Sequence, residues 1–186
     1  MRLDRSSAQR FLLEHGADTI DHPGGTLLAH LVRVADQLAA WDAAADVVLA
    51  GLCHATYGTA GFATALLPVD RRAELVDVIG PAAEAMVYLY AGCDRAATYP
   101  LLGGTGPVDL VDRFTGPARS VEPGELRVFM EITVANELDV LAQNADYAAR
   151  YGAPLTELFT RAQNRMSQAA WTAVQAALRP PAGPTS

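Results

Sequence analysis

Apolar residues recur every three or four positions along most of the chain, which is the spacing of amphipathic helices that bury one face. The clearest stripe consists of Leu27, Leu28, Leu31, Val34, Ala35 and Leu38. Thr26 stands directly before this stripe, where its hydroxyl can accept a hydrogen bond from the first turn. No segment alternates apolar and polar residues for long enough to predict a strand. The pattern therefore predicts an all-α protein.

The same spacing predicts further helices around this one. They cover residues 6–15, 44–55, 71–79, 81–91, 124–146 and 155–178. Ser6 and Gln9 are placed for a capping box at the start of the first helix, and Gly16 is placed to end it. We expect a helical bundle of about six to eight helices, forming a single domain over residues 1–179, with a disordered tail at 180–186.

Residues 92–123 interrupt the helical pattern with a GGTG motif and several prolines. A long connection of this kind is either a functional lid or pocket wall, or a surface insertion, and the sequence leaves both open. GGTG is not a phosphate-binding loop, because no lysine follows it and no predicted strand precedes it.

Charge and composition limit the partners. The 186 residues carry a formal net charge of −7 and are 51% hydrophobic. An acidic surface argues against nucleic acid or an anionic membrane as the main partner. All 14 basic residues are arginine, which excludes lysine Schiff-base chemistry but leaves two-point binding of carboxylates or phosphates. We therefore expect a small-molecule ligand or substrate.

Cys53 and Cys93 lie far apart and form no CxxC pair, so we predict reduced thiols. The N-terminal residues carry charges where a signal peptide would be apolar, and no apolar run approaches the ~20 residues of a membrane span. We expect a cytoplasmic, soluble protein. The oligomeric state is left open, a homodimer included.

The four histidines all lie within the first 54 residues: His15, His22, His30 and His54. His30 and His54 fall on consecutive predicted helices, at a spacing that allows them to converge. His22 lies in the DHPGG turn that leads into the His30 helix. Imidazoles in a partly dry pocket suit proton transfer near neutral pH. A stable metal site would need a third or fourth ligand.

The segment from His30 to Thr59 resembles the HD superfamily of metal phosphohydrolases, most closely the hydrolase domain of the RelA/SpoT (p)ppGpp enzymes. His30 matches the first histidine of that family, and AGLCHATYGT (50–59) matches its histidine–aspartate helix. RRAELVDVIGPAAEAMVYLY (71–90) is similar to the stretch that follows there. MEITVANELDVL (130–141) is similar to its last metal-binding helix. The resemblance covers residues 22–145 and implies an HD-like helical fold.

The departures from that family fall on its metal chemistry. Ala55 and Asn136 stand where the resemblance implies metal-binding aspartates, and Gly58 and Thr59 stand where it implies an acidic pair. Asp21 and His22 stand where the RelA/SpoT family has the basic residues that bind the guanine base, so the resemblance does not imply guanine recognition here. Hard divalent cations prefer carboxylate oxygen. The resemblance thus implies the scaffold without the standard metal site, as in an uncharacterised, divergent branch of HD-like domains.

Three hypotheses follow. The first is a small-molecule enzyme with a histidine pocket for acid/base chemistry, and its reaction class is left open among lyase, cyclase, isomerase and hydrolase. Its candidate catalytic residues are His22, His30, His54 and Tyr57, and its candidate substrate-binding residues are Arg33, Thr59, Arg95 and Asn136. The second is a metal-dependent hydrolase or oxygenase with one transition metal on His22, His30 and His54, assisted by Asp139 or Glu137. The third is a non-catalytic ligand-binding or scaffolding domain.

Overall fold

A computed structural model of the protein describes residues 4–178. The helices are α1 (Arg5–Glu14), α2 (Leu27–Ala40), α3 (Ala45–Cys53), α4 (Arg72–Gly92), α5 (Arg95–Thr98), α6 (Pro123–Gln143), α7 (Ala145–Arg161) and α8 (Gln168–Ala177). The strands are β1 (Asp21–His22), β2 (Gly25–Thr26), β3 (Val108–Val111) and β4 (Ala118–Val121). The predicted all-α class is confirmed, since the two hairpins are small. The predicted tail at 180–186 lies outside the described residues.

Helix starts follow side-chain caps. The Thr26 hydroxyl accepts from the backbone N–H of Ala29 and begins α2, as predicted. The capping box at Ser6 and Gln9 is wrong. The Asp4 carboxylate, 2.8 Å from the backbone nitrogen of Ser7, caps α1 instead. A carboxylate is as good an N-cap as a hydroxyl, so the helix begins one residue before Ser6.

One predicted break is confirmed and one predicted helix divides. The segments 71–79 and 81–91, named together as α4, are two helical stretches separated just before Pro81 by Gly80, whose φ of 83° and ψ of 160° are not helical. The predicted helix 155–178 is interrupted instead: α7 ends before Ala162, and Ser167 caps α8. The break comes where the backbone N–H of Ser167 bonds to the buried Glu131 of α6, a contact that apolar spacing cannot reveal.

The segment 92–123 is neither structureless nor free of strands. It contains α5 and an antiparallel hairpin in which Val108 pairs with Val121 and Val111 pairs with Ala118. Only Val108, Leu110 and Val121 are buried in this hairpin, so four-residue strands with so few apolar positions give no readable alternation.

The core lies where α2, α3, α4 and α6 pack together. Its largest buried side chains include Leu31, Leu38, Leu52, Tyr90 and Phe129. Cys53 and Cys93 are buried free thiols, as predicted.

One described helical segment, Val69–Gly92, is long and apolar enough to cross a membrane by length and composition. More than half of its window is buried inside the protein. Glu84 of this segment also accepts two hydrogen bonds from Arg72. These properties are those of a helix that packs in the core of the protein.

Candidate functional site

His30 joins α2 to α6 through a buried carboxylate. Its Nδ1 donates to Asp139 Oδ2 over 2.6 Å, and His30 is 1% exposed. Arg33, one turn further along α2, donates to both oxygens of Asp139 at 2.6 and 2.9 Å. Burial alone would raise the pKa of Asp139, but the bonds from His30 and Arg33 lower it below its usual value. The ionised carboxylate thus fixes the ring so that Nε2 points away from it.

His54, directly after α3, is held in a similar way. Its Nδ1 lies 2.7 Å from the carbonyl oxygen of Gly51, which can only accept, so Nδ1 carries the hydrogen. Burial, followed by the proximity of His30, lowers the pKa of His54 to about 3. The neutral ring therefore presents a lone pair at Nε2. The ring centroids of His30 and His54 are 5.3 Å apart, edge to face.

Asn136 lies between the two imidazoles. Its Oδ1 is 3.1 Å from Nε2 of His30 and 3.1 Å from Nε2 of His54. Its Nδ2 donates to Glu137 Oε1 over 3.1 Å. Both histidines use their Nδ1 hydrogen elsewhere. If both rings are neutral, each Nε2 therefore carries a lone pair, and the two lone pairs face Asn136 Oδ1, which also only accepts.

Turning the Asn136 amide over does not remove this conflict. Nδ2 would then donate to the two Nε2 atoms, but Oδ1 would face the Glu137 carboxylate. Either orientation leaves acceptors facing each other unless the network holds one additional proton or a cation.

His22 covers this network on the side of the cavity. The β1–β2 hairpin, in which His22 pairs with Gly25, turns through Pro23 and Gly24 (φ 79°). It lays the His22 ring over that of His30, with centroids 4.1 Å apart and an interplanar angle of 29°. Burial, followed by the nearby His30, lowers the pKa of His22 to about 4. His22 Nδ1 is buried without a hydrogen-bond partner.

A cavity of about 200 Å³ opens beside these groups. It is lined by Asp21, His22, Pro23, Thr59, Gly61, Phe62, Arg95, Asn136, Glu137, Val140 and Tyr147. Thr59 and Phe62 are held by reciprocal backbone hydrogen bonds of 2.7 and 3.1 Å. The Phe62 ring meets His22 edge-on at 5.5 Å.

Glu137 organises the far wall of this cavity. Its Oε1 accepts from Arg95 Nη1 over 3.1 Å, and its Oε2 accepts from the Tyr147 hydroxyl over 2.8 Å. Arg95 also donates to the Tyr90 hydroxyl over 2.8 Å, which leaves its Nε buried without a partner. The buried Glu137 carboxylate is therefore paired with the Arg95 guanidinium and positioned by the Tyr147 hydroxyl.

The structure brings together most of the predicted site residues. His22, His30, His54 and Asn136 form one cluster, and Thr59 and Arg95 line the adjoining cavity. Tyr57 lies elsewhere, since its hydroxyl donates to the buried Glu84 of α4 over 2.8 Å. Arg33 does not line this cavity, and its donors are taken by Asp139 and by the carbonyls of Pro23 and Gly24.

The predicted metal site on His22, His30, His54 and Asp139 is not formed. The His22 ring stacks on His30 instead of pointing to a shared centre, and Asp139 is bound by His30 and Arg33. Between residues 4 and 178, no three His, Cys, Asp or Glu side chains are grouped to hold a metal ion.

Sequence reasoning missed Tyr90, Tyr147 and Phe62 as parts of this site. The segment ANELD (135–139) carried a usable signal, because it places three polar residues within five positions of a helix. Asn136, Glu137 and Asp139 all face inward in the structure, toward partners on α2, α5 and α7.

A comparison with protein families matches residues 11–95 to a family described as a domain of unknown function (DUF6817). The match includes His22, His30, His54 and Arg95, and it ends before α6, which supplies Asn136, Glu137 and Asp139. It covers less than half of the chain. A search of curated proteins found no match. The resemblance to the HD superfamily thus stays a prediction.

Proposed function

We propose that the protein is an enzyme that transfers protons to or from a small-molecule substrate, on an HD-like scaffold and in the cytoplasm. The observation that carries this proposal is the Asn136 amide between two imidazoles and a carboxylate. If both rings are neutral and Glu137 is ionised, neither orientation of the Asn136 amide gives every acceptor a donor. With neutral imidazoles and an ionised carboxylate, this network has a place for one additional proton. Such a network is suited to accept a proton from a substrate and to return it.

The residues divide this work by position. His22 lines the cavity and has a lowered pKa, so it is a neutral base at pH 7 that can reach a substrate. His30 lies directly beneath it, and Asp139 orients His30 as a buried carboxylate orients the imidazole of a catalytic triad. Asn136, Arg95 and Thr59 line the polar part of the cavity and bind the substrate. Elimination, cyclisation, isomerisation and hydrolysis all fit this arrangement.

Isotope exchange tests the proposal without a known substrate. A mixed extract of small metabolites is incubated with the protein in D₂O and followed by mass spectrometry. We expect at least one compound to gain deuterium at carbon or to be converted. His22→Gln abolishes this change, whereas His15→Gln, at a histidine bonded to the Phe11 carbonyl on α1, retains it. No change in any compound, or the same change with His22→Gln, contradicts the proposal.

A single bound cation is the second candidate, favoured by one specific observation. Both imidazoles anchor Nδ1 on an acceptor, Asp139 or the Gly51 carbonyl, and turn Nε2 toward Asn136 Oδ1. Metal-binding histidines commonly show this arrangement. Two nitrogens and an amide oxygen suit Zn²⁺ or Fe²⁺ better than Mg²⁺.

Elemental analysis of protein purified without a His-tag or chelator separates the two candidates. Stoichiometric zinc, iron, manganese or copper that is lost in His54→Gln supports the cation. Substoichiometric metal in both the wild type and His54→Gln rules out the cation and supports the proton network. A protein that retains a co-purified small molecule but converts no compound would instead be a ligand-binding domain.

A further inference from the structure

A second, larger cavity adjoins the histidine cavity. Its volume is about 490 Å³, within the range of about 300–1,000 Å³ of small-molecule pockets. Arg95, Glu137 and Tyr147 line both cavities. The remaining wall of this second cavity, here called the aromatic chamber, includes Tyr99, Tyr151, Pro154, Leu155 and Leu158. It lies between the start of the 92–123 segment and α7.

The chamber combines an apolar wall with one unused polar group. Leu155 and Leu158 present aliphatic surface from α7, and the Tyr151 ring lies 4.5 Å from that of Tyr147. The Tyr99 hydroxyl is buried and has no hydrogen-bond partner. Buried hydroxyls are nearly always paired, because an unpaired one loses its bonds to water without replacement. Tyr99 lines the chamber, so a ligand acceptor that a small rotation of this side chain brings within reach would supply the missing partner.

Arg95, which lies where the two cavities meet, favours a polar group of the ligand at that point. Arg95 Nε is also buried without a partner, while its Nη atoms are held by Glu137 and Tyr90. Arg95 lines both cavities, so an acceptor on a ligand that passes from one to the other would satisfy this nitrogen after a small shift of the side chain.

We propose that the two cavities act as one cleft whose substrate is amphipathic. A polar head binds beside His22 and Asn136, and an aromatic or short aliphatic arm lies in the aromatic chamber, with an acceptor that takes the Tyr99 hydroxyl hydrogen. This inference rests on the proposed function for the role of the head, but the chamber's affinity for an apolar arm is independent of any proton transfer.

Two small amides test the arm directly. 3-Phenylpropanamide carries a donor and acceptor head with an aromatic arm, and propanamide carries the same head alone. Their dissociation constants are measured by ligand-observed NMR titration. We expect the phenyl compound to bind the wild-type protein at least tenfold more tightly, because its ring buries apolar surface in the chamber. Equal binding of the two compounds overturns the proposal.

Matched variants locate the arm. Ala96 and Ala97 are adjacent and exposed on α5, and of the two only Ala96 lines the chamber. Ala96→Trp should reduce the preference for the phenyl compound to below threefold, while Ala97→Trp retains it. Tyr99→Phe should leave the affinity for 3-phenylpropanamide unchanged, because its phenyl arm carries no acceptor. It should weaken binding of 3-(4-methoxyphenyl)propanamide, whose arm does carry one, by about three- to tenfold, the value of one hydrogen bond. If both tryptophan variants behave as wild type, the ring binds elsewhere and the proposal fails.

A further variant separates this inference from the proposed function. His22→Gln removes the cavity base but touches no chamber wall. Binding of 3-phenylpropanamide that survives in His22→Gln, together with no isotope exchange by the wild-type protein, would retain the chamber and reject proton transfer. Isotope exchange that depends on His22, with no preference for the phenyl compound, would retain proton transfer and reject the chamber.

Discussion

His30 and Asp139 are 109 positions apart in the chain and meet in a 2.6 Å hydrogen bond between α2 and α6. This bond sets which nitrogen of His30 faces Asn136. The packing of α2 on α6 therefore decides which nitrogen of His30 carries the hydrogen that faces Asp139.

Asp139→Asn should destabilise the protein by about 2–4 kcal/mol. It leaves Arg33 without its carboxylate and leaves one acceptor oxygen where two now serve His30 and Arg33, and breaking buried pairs of this kind is costly. Chemical denaturation monitored by circular dichroism measures the change. Asp36→Asn is the matched control, since the Arg5–Asp36 pair is largely exposed, and we expect a change within about 0.5 kcal/mol. Equal effects would mean that Asp139 is not a buried anchor.

Stability should fall as the pH drops from 6.5 toward 3, in part because of His54. The folded protein holds His54 neutral, because burial lowers its pKa to about 3. In the unfolded chain, His54 has its ordinary pKa of 6.5 and takes up a proton when the pH falls below that value. His54 therefore stabilises the fold fully above pH 6.5 and progressively less below it, by at most about 1.4 kcal/mol per pH unit.

Denaturation series between pH 7.5 and 4.5 on the wild type and His54→Gln measure this effect. The variant should show a shallower decline, because it removes one group that the unfolded state protonates. His22, with its pKa lowered to about 4, contributes in the same direction and should leave part of the slope in place. Parallel curves for the two proteins would contradict a neutral, buried His54.

Tyr57→Phe should lower stability without affecting any activity of the site. The Tyr57 hydroxyl donates to Glu84 over 2.8 Å, away from the histidine cluster, so its loss should cost about 1 kcal/mol. Tyr147→Phe is the informative counterpart, because that hydroxyl donates to Glu137 at the cavity wall. Isotope exchange should be retained in the first variant and reduced in the second. Loss of exchange in Tyr57→Phe would restore the sequence-based assignment of Tyr57.

Gly58→Ala should destabilise the loop that presents Thr59. Gly58 has φ of 68°, and an added Cβ would lie 3.0 Å from the carbonyl oxygen of Ala63. Gly152→Ala serves as control: Gly152 lies inside α7 with nothing within 4 Å of an added Cβ, so we expect a gain of about 0.5–1 kcal/mol. Melting temperatures of the two variants should move in opposite directions. A gain for Gly58→Ala would show that the loop relaxes easily.

The sequence by itself determined the local structure. The 3.6-residue period, the Thr26 cap and the glycine and proline turns act within a few residues of each other, so α2, α3 and the turn before α2 followed from them. The same local information placed His30 and His54 on consecutive helices. It failed for the short β3–β4 hairpin and the start of α8, where contacts to distant segments stabilise the backbone.

Only the tertiary structure decided what the side chains contact. Asn136 lies between His30 and His54, Asp139 serves as an anchor, and Tyr57 turns toward Glu84 because of the way helices pack. Periodicity gives the buried face of a helix but not the residue that faces it from another helix. The chemistry of the pocket depends on those pairings, and so it became readable only in three dimensions.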